Sequence, residues 1–116
     1  SWNPLDYTVK LYTIEDATAI EAVTTLATLT VTSVAGATGK SVITVATTPA
    51  PGHGFVYETG TVTSTVAFDD VITDWTPLIS GATITPTGGH TVITVAEING
   101  ADNKAKAVGT ATLAIG

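Results

Sequence analysis

The sequence predicts an all-β sandwich, and three observations point to it. From Leu26 onward, runs rich in Val, Ile and Thr recur about every 8–14 residues between clusters of Gly, Pro, Asn and Asp, the rhythm of short strands joined by turns. One run is written twice: residues 39–46 are Gly-Lys-Ser-Val-Ile-Thr-Val-Ala and residues 89–96 are Gly-His-Thr-Val-Ile-Thr-Val-Ala. The echo also extends past the run. Thr30-Val-Thr precedes the first copy as Thr83-Ile-Thr precedes the second, and after eight intervening residues each run is followed by another β-type stretch, beginning at Phe55 and at Ala105. A strand, a loop of constant length and a second strand thus form an internal pseudo-repeat, in which each half needs the other to bury its apolar face. Two units are too few for a solenoid, which takes about three or more.

Residues 1–25 form an expected N-terminal arm with one strand. Pro4 holds Asn3 in an extended or turn conformation, with Trp2 and Leu5 on either side of the pair. Tyr7, Val9 and Leu11 alternate with Thr8, Lys10 and Tyr12, the period of a half-buried strand over residues 7–14. Trp2, Pro4, Leu5, Tyr7, Val9 and Leu11 are the candidate subunit-docking residues, whether they pack on their own domain or insert into a neighbour. Residues 15–26 alone carry helical spacing, at Ile20 and Val23, with Glu15, Asp16 and Glu21 where a helix dipole favours them. Thr18, Val23, Thr24 and Thr25 are β-branched and resist a helix, so one weak turn or a loop is expected.

Residues 26–116 are the expected sandwich. Residues 26–34 predict the first strand, with Leu29 and Val31 apolar, and Gly36-Ala-Thr-Gly39 turns it. Residues 41–47 follow, then Pro49, Pro51, Gly52 and Gly54 mark a loop. Residues 55–59 and 61–68 predict a strand pair hinged at Gly60, the second placing Val62, Ser64, Val66 and Phe68 on one face. Residues 69–80 break the alternation. There Val71, Ile72, Trp75, Leu78 and Ile79 mark either one amphipathic turn closed by Pro77 or a loop that caps the core. Residues 82–85, 91–98 and 105–115 complete a set of about eight short strands, as an immunoglobulin-like sandwich requires. Asn99-Gly100 has the residue types of a tight turn with positive φ.

Composition narrows the function classes. At 116 residues the chain has the size of one domain. Leu, Ile, Val and Phe make roughly a quarter of it, enough for a core built from many small contributions. Charged residues are 12%, with no arginine, so the surface is either a solvated hydroxyl-rich β surface or one covered by neighbouring subunits. A net charge of −6 and four scattered lysines argue against nucleic acid, whose phosphates need clustered Lys and Arg. No apolar run approaches the ~18–20 residues that span a bilayer, and none resembles a leader. The opening Ser-Trp-Asn-Pro suits a processing site or boundary, and the absence of Cys removes disulfides and thiolate ligands.

Candidate chemistry is sparse. Gly36-Ala-Thr-Gly39-Lys40-Ser41 has the look of a phosphate loop, but Val34 stands where the first glycine belongs and a strand follows instead of a helix. His53 and His90 lack a further N or S donor for zinc and are expected as solvated turn residues. Asp69, Asp70 and Asp74 ahead of Trp75, and Glu97, Asn99, Asp102 and Asn103, are oxygen-rich clusters for which loop capping is expected over a cation. Pro51, His53, Asp69, Asp70, Asp74 and Trp75 are the candidate exposed-loop residues. Nothing assembles nucleophile, base and orienter, so no enzyme, no cofactor and no metal is expected. A glycan-binding surface would need an aromatic platform, for which Trp75 and Tyr57 are the candidates, with core packing the alternative for both. A Lys–Asn or Lys–Asp crosslink, as in some bacterial surface sandwiches, would show in the intact mass.

Over residues 28–116 the wording resembles a family of small β modules in structural proteins of tailed bacteriophages and prophages, of head-decoration and fibre type. The residues that carry it are Leu29-Thr-Val-Thr-Ser-Val-Ala-Gly36, Gly39-Lys-Ser-Val-Ile-Thr-Val45 and the Gly54, Phe55, Tyr57 set. Asp74-Trp75-Thr76, Ile84-Thr85 with Gly88-Gly89, Val95-Ala96-Glu97 and the Lys104–Thr112 stretch complete it, over about three-quarters of the chain. The first 25 residues do not match. The resemblance implies a module that usually ends its chain, sits on a virion surface and docks to copies of itself or to a major capsid protein, as a homo-oligomer within an assembly. It carries over no catalytic residues.

Overall fold

In the computed structural model, which describes residues 25–116, eight strands form two sheets. The strands are β1 (Ala27–Thr28), β2 (Val31–Ala35), β3 (Ser41–Val45), β4 (His53–Gly60), β5 (Thr76–Leu78), β6 (Ala82–Ile84), β7 (Val92–Asn99) and β8 (Ala105–Thr112). The larger sheet runs β1-β8-β7-β4-β5 and the smaller β2-β3-β6. The all-β sandwich read from the sequence is therefore the architecture. The docking candidates Trp2, Pro4, Leu5, Tyr7, Val9 and Leu11 lie outside the described residues, as does the segment 15–24.

The doubled run supplies a central strand to each sheet: β3 in the smaller and β7 in the larger. Both entry glycines, Gly39 and Gly89, take left-handed φ of 77° and 89°, which glycine adopts without the steric cost of a Cβ. The inward residues of the copies meet across the sandwich. Ile43 and Val45 from β3 and Ile93 and Val95 from β7 share one core with Leu29, Val31, Phe55, Leu78, Ile84 and Ala107. Each large aliphatic side chain there contributes about 1.5–3 kcal/mol of burial. Beyond the run the copies diverge. After β3 the chain crosses to the larger sheet and β4 pairs with β7, whereas after β7 a hairpin returns β8 beside it.

Three expectations need correction. Residues 26–34 are two strands: β1 pairs parallel with β8, and the chain then changes sheets at Leu29 to enter β2. That crossing passes directly over Gly109, where a Cβ would lie 2.3 Å from the Leu29 carbonyl oxygen, so no side chain fits. Residues 61–68 form no strand: β4 pairs with β7 along its length and, on its other side, with β5 at Phe55, Val56 and Tyr57. Instead the segment leaves the sheet after Gly60 and lies over its outer face. Val66, Ile72 and Trp75 pack there on Val56, Ala96, Ile98 and Ala105, a second core outside the sandwich. The Asn99-Gly100 pair does not supply the left-handed residue of the last hairpin; Asn103 does, with φ of 60°. Gly100 instead brings two loops together, its N–H donating to the Gly52 carbonyl at 2.8 Å.

The outer strap, residues 61–75, is held by backbone as well as packing. Asp69 N–H donates to the Ala105 carbonyl, Ala105 N–H to Asp70 and Ile72 N–H to Asn103, at 2.8–2.9 Å. A bulge makes Lys106 the extra residue opposite Glu97 and Ile98. Lys106 then reaches the strap through an ion pair with Asp69 and lies 4.6 Å over the Phe68 ring.

Candidate functional site

Because β5 pairs only with Phe55, Val56 and Tyr57, the eight-residue β4 outruns it at both ends, and a cleft opens at each. The first, of about 330 Å³, takes Tyr57, Glu58 and Thr59 from the end of β4 and Asp74, Trp75 and Thr76 from the approach to β5. Thr85, Pro86 and Thr87 after β6 and His90 before β7 close the opposite wall. Its surface is mainly polar. His90 Nδ1 and Thr59 Oγ1 share a hydrogen bond of 2.7 Å, which ties the two walls. At the rim Lys40 Nζ donates to Thr85 Oγ1 at 2.9 Å.

The second cleft, of about 440 Å³, lies at the other end of β4, between the 46–49 crossover and residues 78–80. Phe55 and Leu78 line it, and Ile79 beside them is 81% exposed. Ser80 closes one end by mimicking a strand neighbour: its hydroxyl accepts from Val45 N–H at 2.9 Å and donates to the Val45 carbonyl at 3.0 Å.

Trp75 is half-buried, one flank on the outer core and one on the polar cleft, and Tyr57 lines the same cleft from β4. Asp74 joins them. Asp69 and Asp70 lie away on the strap, where Asp70 Oδ2 accepts from Ala67 N–H at 2.8 Å, and Asp69 takes a φ of 66°. Pro51 is exposed on the crossover turn. Neither histidine is the solvated turn residue expected. His53 opens β4 half-buried with Nδ1 2.7 Å from Glu97 Oε2, and the same oxygen accepts from Ala50 N–H, so this carboxylate folds the Pro-rich loop onto the sheet. His90 is half-buried against Thr59. Asn99 Oδ1 and Asp102 Oδ1 accept from Ala101 and Lys104 N–H, which is loop capping.

Among the described residues no three of His, Asp and Glu gather as a metal would need. The His90–Thr59 pair has the hydroxyl–imidazole contact of nucleophilic catalysis, but no hydrogen bond among the described residues joins His90 to an orienting carboxylate. The Gly36–Ser41 loop has its amides engaged: Gly39 N–H donates to the Gly116 carbonyl and Lys40 N–H to Ala37, both at 2.8 Å. Among the described residues the one Lys–Asp pair in contact, Lys106 and Asp69, is open to solvent at 30% and 43% side-chain exposure and is an ion pair in water's reach. Glu58, Thr59, Thr85 and Thr87 were not distinguishable in the sequence as cleft residues, since strands far apart in the chain bring them together. Comparison with protein-family models, with curated proteins and with solved structures finds no match to this chain.

Proposed function

We propose that this protein is a non-enzymatic structural module of a virus particle's outer surface, an immunoglobulin-like sandwich that docks to neighbouring subunits. The observation that carries this reading is the outer face of the smaller sheet. Its three strands contain no charged residue, and Thr32, Val34, Thr44 and Thr83 stand exposed along it, Val34 at 56%. A face of β-branched side chains without charge has little to lose on desolvation and suits a protein neighbour, either another copy or a major capsid protein. The resemblance to phage head-decoration and fibre modules supports the same reading. Purified particles are expected to contain the protein in many stoichiometric copies. Its presence in infected-cell extract but never in particles overturns the proposal.

A second reading, a subunit of an extracellular filament, is favoured by the partly uncovered edge of β4, which residues 7–14 of a neighbour would extend by strand addition. Deletion of residues 1–14 separates the two. A filament subunit becomes an aggregating monomer with an open edge, whereas a surface module stays folded and loses docking alone.

A further inference from the structure

We propose that the cleft between the end of β4 and the β5 and β6 flanks binds an uncharged saccharide. Its wall combines the two kinds of group that sugar recognition needs. Trp75 and Tyr57 line the cleft while their side chains also pack elsewhere, so a sugar entering it meets aromatic residues that are already held in place. Around them stand hydrogen-bonding groups suited to hydroxyls. The Glu58 and Asp74 carboxylates accept strong charge-assisted bonds, and Thr59, Thr76, Thr85 and Thr87 both donate and accept.

Charge selects among sugars. Two carboxylates face the cleft, and the lysine at its rim, Lys40, has its ammonium on Thr85 Oγ1. A sialylated or sulfated glycan would bring a further negative charge to two carboxylates that outnumber the single lysine at the rim, so the field of the cleft favours a neutral sugar. The volume of about 330 Å³ lies at the small end of ligand pockets, ~300–1,000 Å³, which suits a sugar terminus and excludes a large apolar ligand, as does the polar lining. The site is also built on rigid elements: β4 is paired with β7 along its full length, and the His90–Thr59 bond fixes the facing wall. This inference stands whether or not the protein belongs to a particle.

The test is a printed array of neutral, sialylated and sulfated glycans, probed with the full chain biotinylated and displayed on tetravalent streptavidin, so that a weak single-site affinity is raised by multivalency. Binding to neutral glycans is expected, unchanged by EDTA. The Trp75→Ala protein should lose the signal, but Trp75 also packs on the outer core and its loss threatens the fold. The deciding variant is therefore Glu58→Gln with Asp74→Asn, two exposed side chains whose replacement should leave the melting temperature in place and cut the signal at least tenfold. Thr44→Ala on the smaller sheet is the control and should bind as the parent does. An array without hits, hits confined to acidic glycans, or neutral hits undiminished in the double variant would each overturn the proposal.

Discussion

Thr44 and Thr94 hold the same place in the two copies of one pentapeptide, Val-Ile-Thr-Val-Ala, yet Thr44 is exposed and Thr94 is 1% exposed. Their neighbours repeat the contrast: Ala46 is exposed where Ala96 is fully buried. The inward residues show none of it, since Ile43 and Ile93 are both at 0% exposure in the same core. What differs is the outer face. The strap of residues 61–75 covers β7 from outside, and Ser64 N–H donates to Thr94 Oγ1 at 2.9 Å; nothing comparable lies over β3 among the described residues. A repeated sequence fixes which face of a strand enters the sandwich. Whether the other face meets water is decided elsewhere in the chain.

Four substitution experiments separate the shared core from the two unequal outer faces. The largest effect belongs to the faces that match: Ile43→Ala and Ile93→Ala should each cost about 2–5 kcal/mol by chemical denaturation, and a large inequality would show that the copies do not share one core. Ala96→Leu should overpack the outer core by about 3 kcal/mol, whereas Ala46→Leu should change stability by less than about 0.5 kcal/mol; equal costs would mean that the strap does not cover β7. Thr94→Val keeps the shape but leaves the Ser64 N–H without its acceptor, at about 1–3 kcal/mol, while Thr44→Val should be near neutral. The smallest effect is expected at Lys106→Gln, under about 1 kcal/mol and smaller still in high salt, because the Asp69 pair is half open to solvent and the strap rests on packing and backbone bonds.

The inner architecture was legible because alternation is a local signal. In β3 the side chains point in and out by turns, and the fixed wording of the second copy marks the same inward set in β7. The strap was not legible for the same reason. Residues 61–68 alternate as a strand does, but β4 takes β7 and β5 as its partners, and the segment packs instead toward Ala96, Ile98 and Ala105, residues far from it in the chain. The cleft divides likewise. Trp75 and Tyr57 stood out as the aromatics of a possible platform, but their convergence with Glu58, Thr87 and His90 depends on where β5 stops and where β6 ends. His53 illustrates the limit at the level of one residue. Flanking glycines marked it as loop, while its partner Glu97 lies on a strand 44 positions away.

The brevity of β5 has one more consequence. It sits at the margin of the larger sheet, and its middle residue, Pro77, has no N–H to offer a further strand. On either side the exposed margin of β4 runs for two or three residues before a cleft wall interrupts it. Along β5 itself an incoming chain would find no continuous ladder to copy, and only the two or three uncovered residues of β4 at either end remain for backbone pairing. Contacts that a neighbour makes along β5 therefore fall to its side chains, and backbone pairing is confined to the short margins of β4.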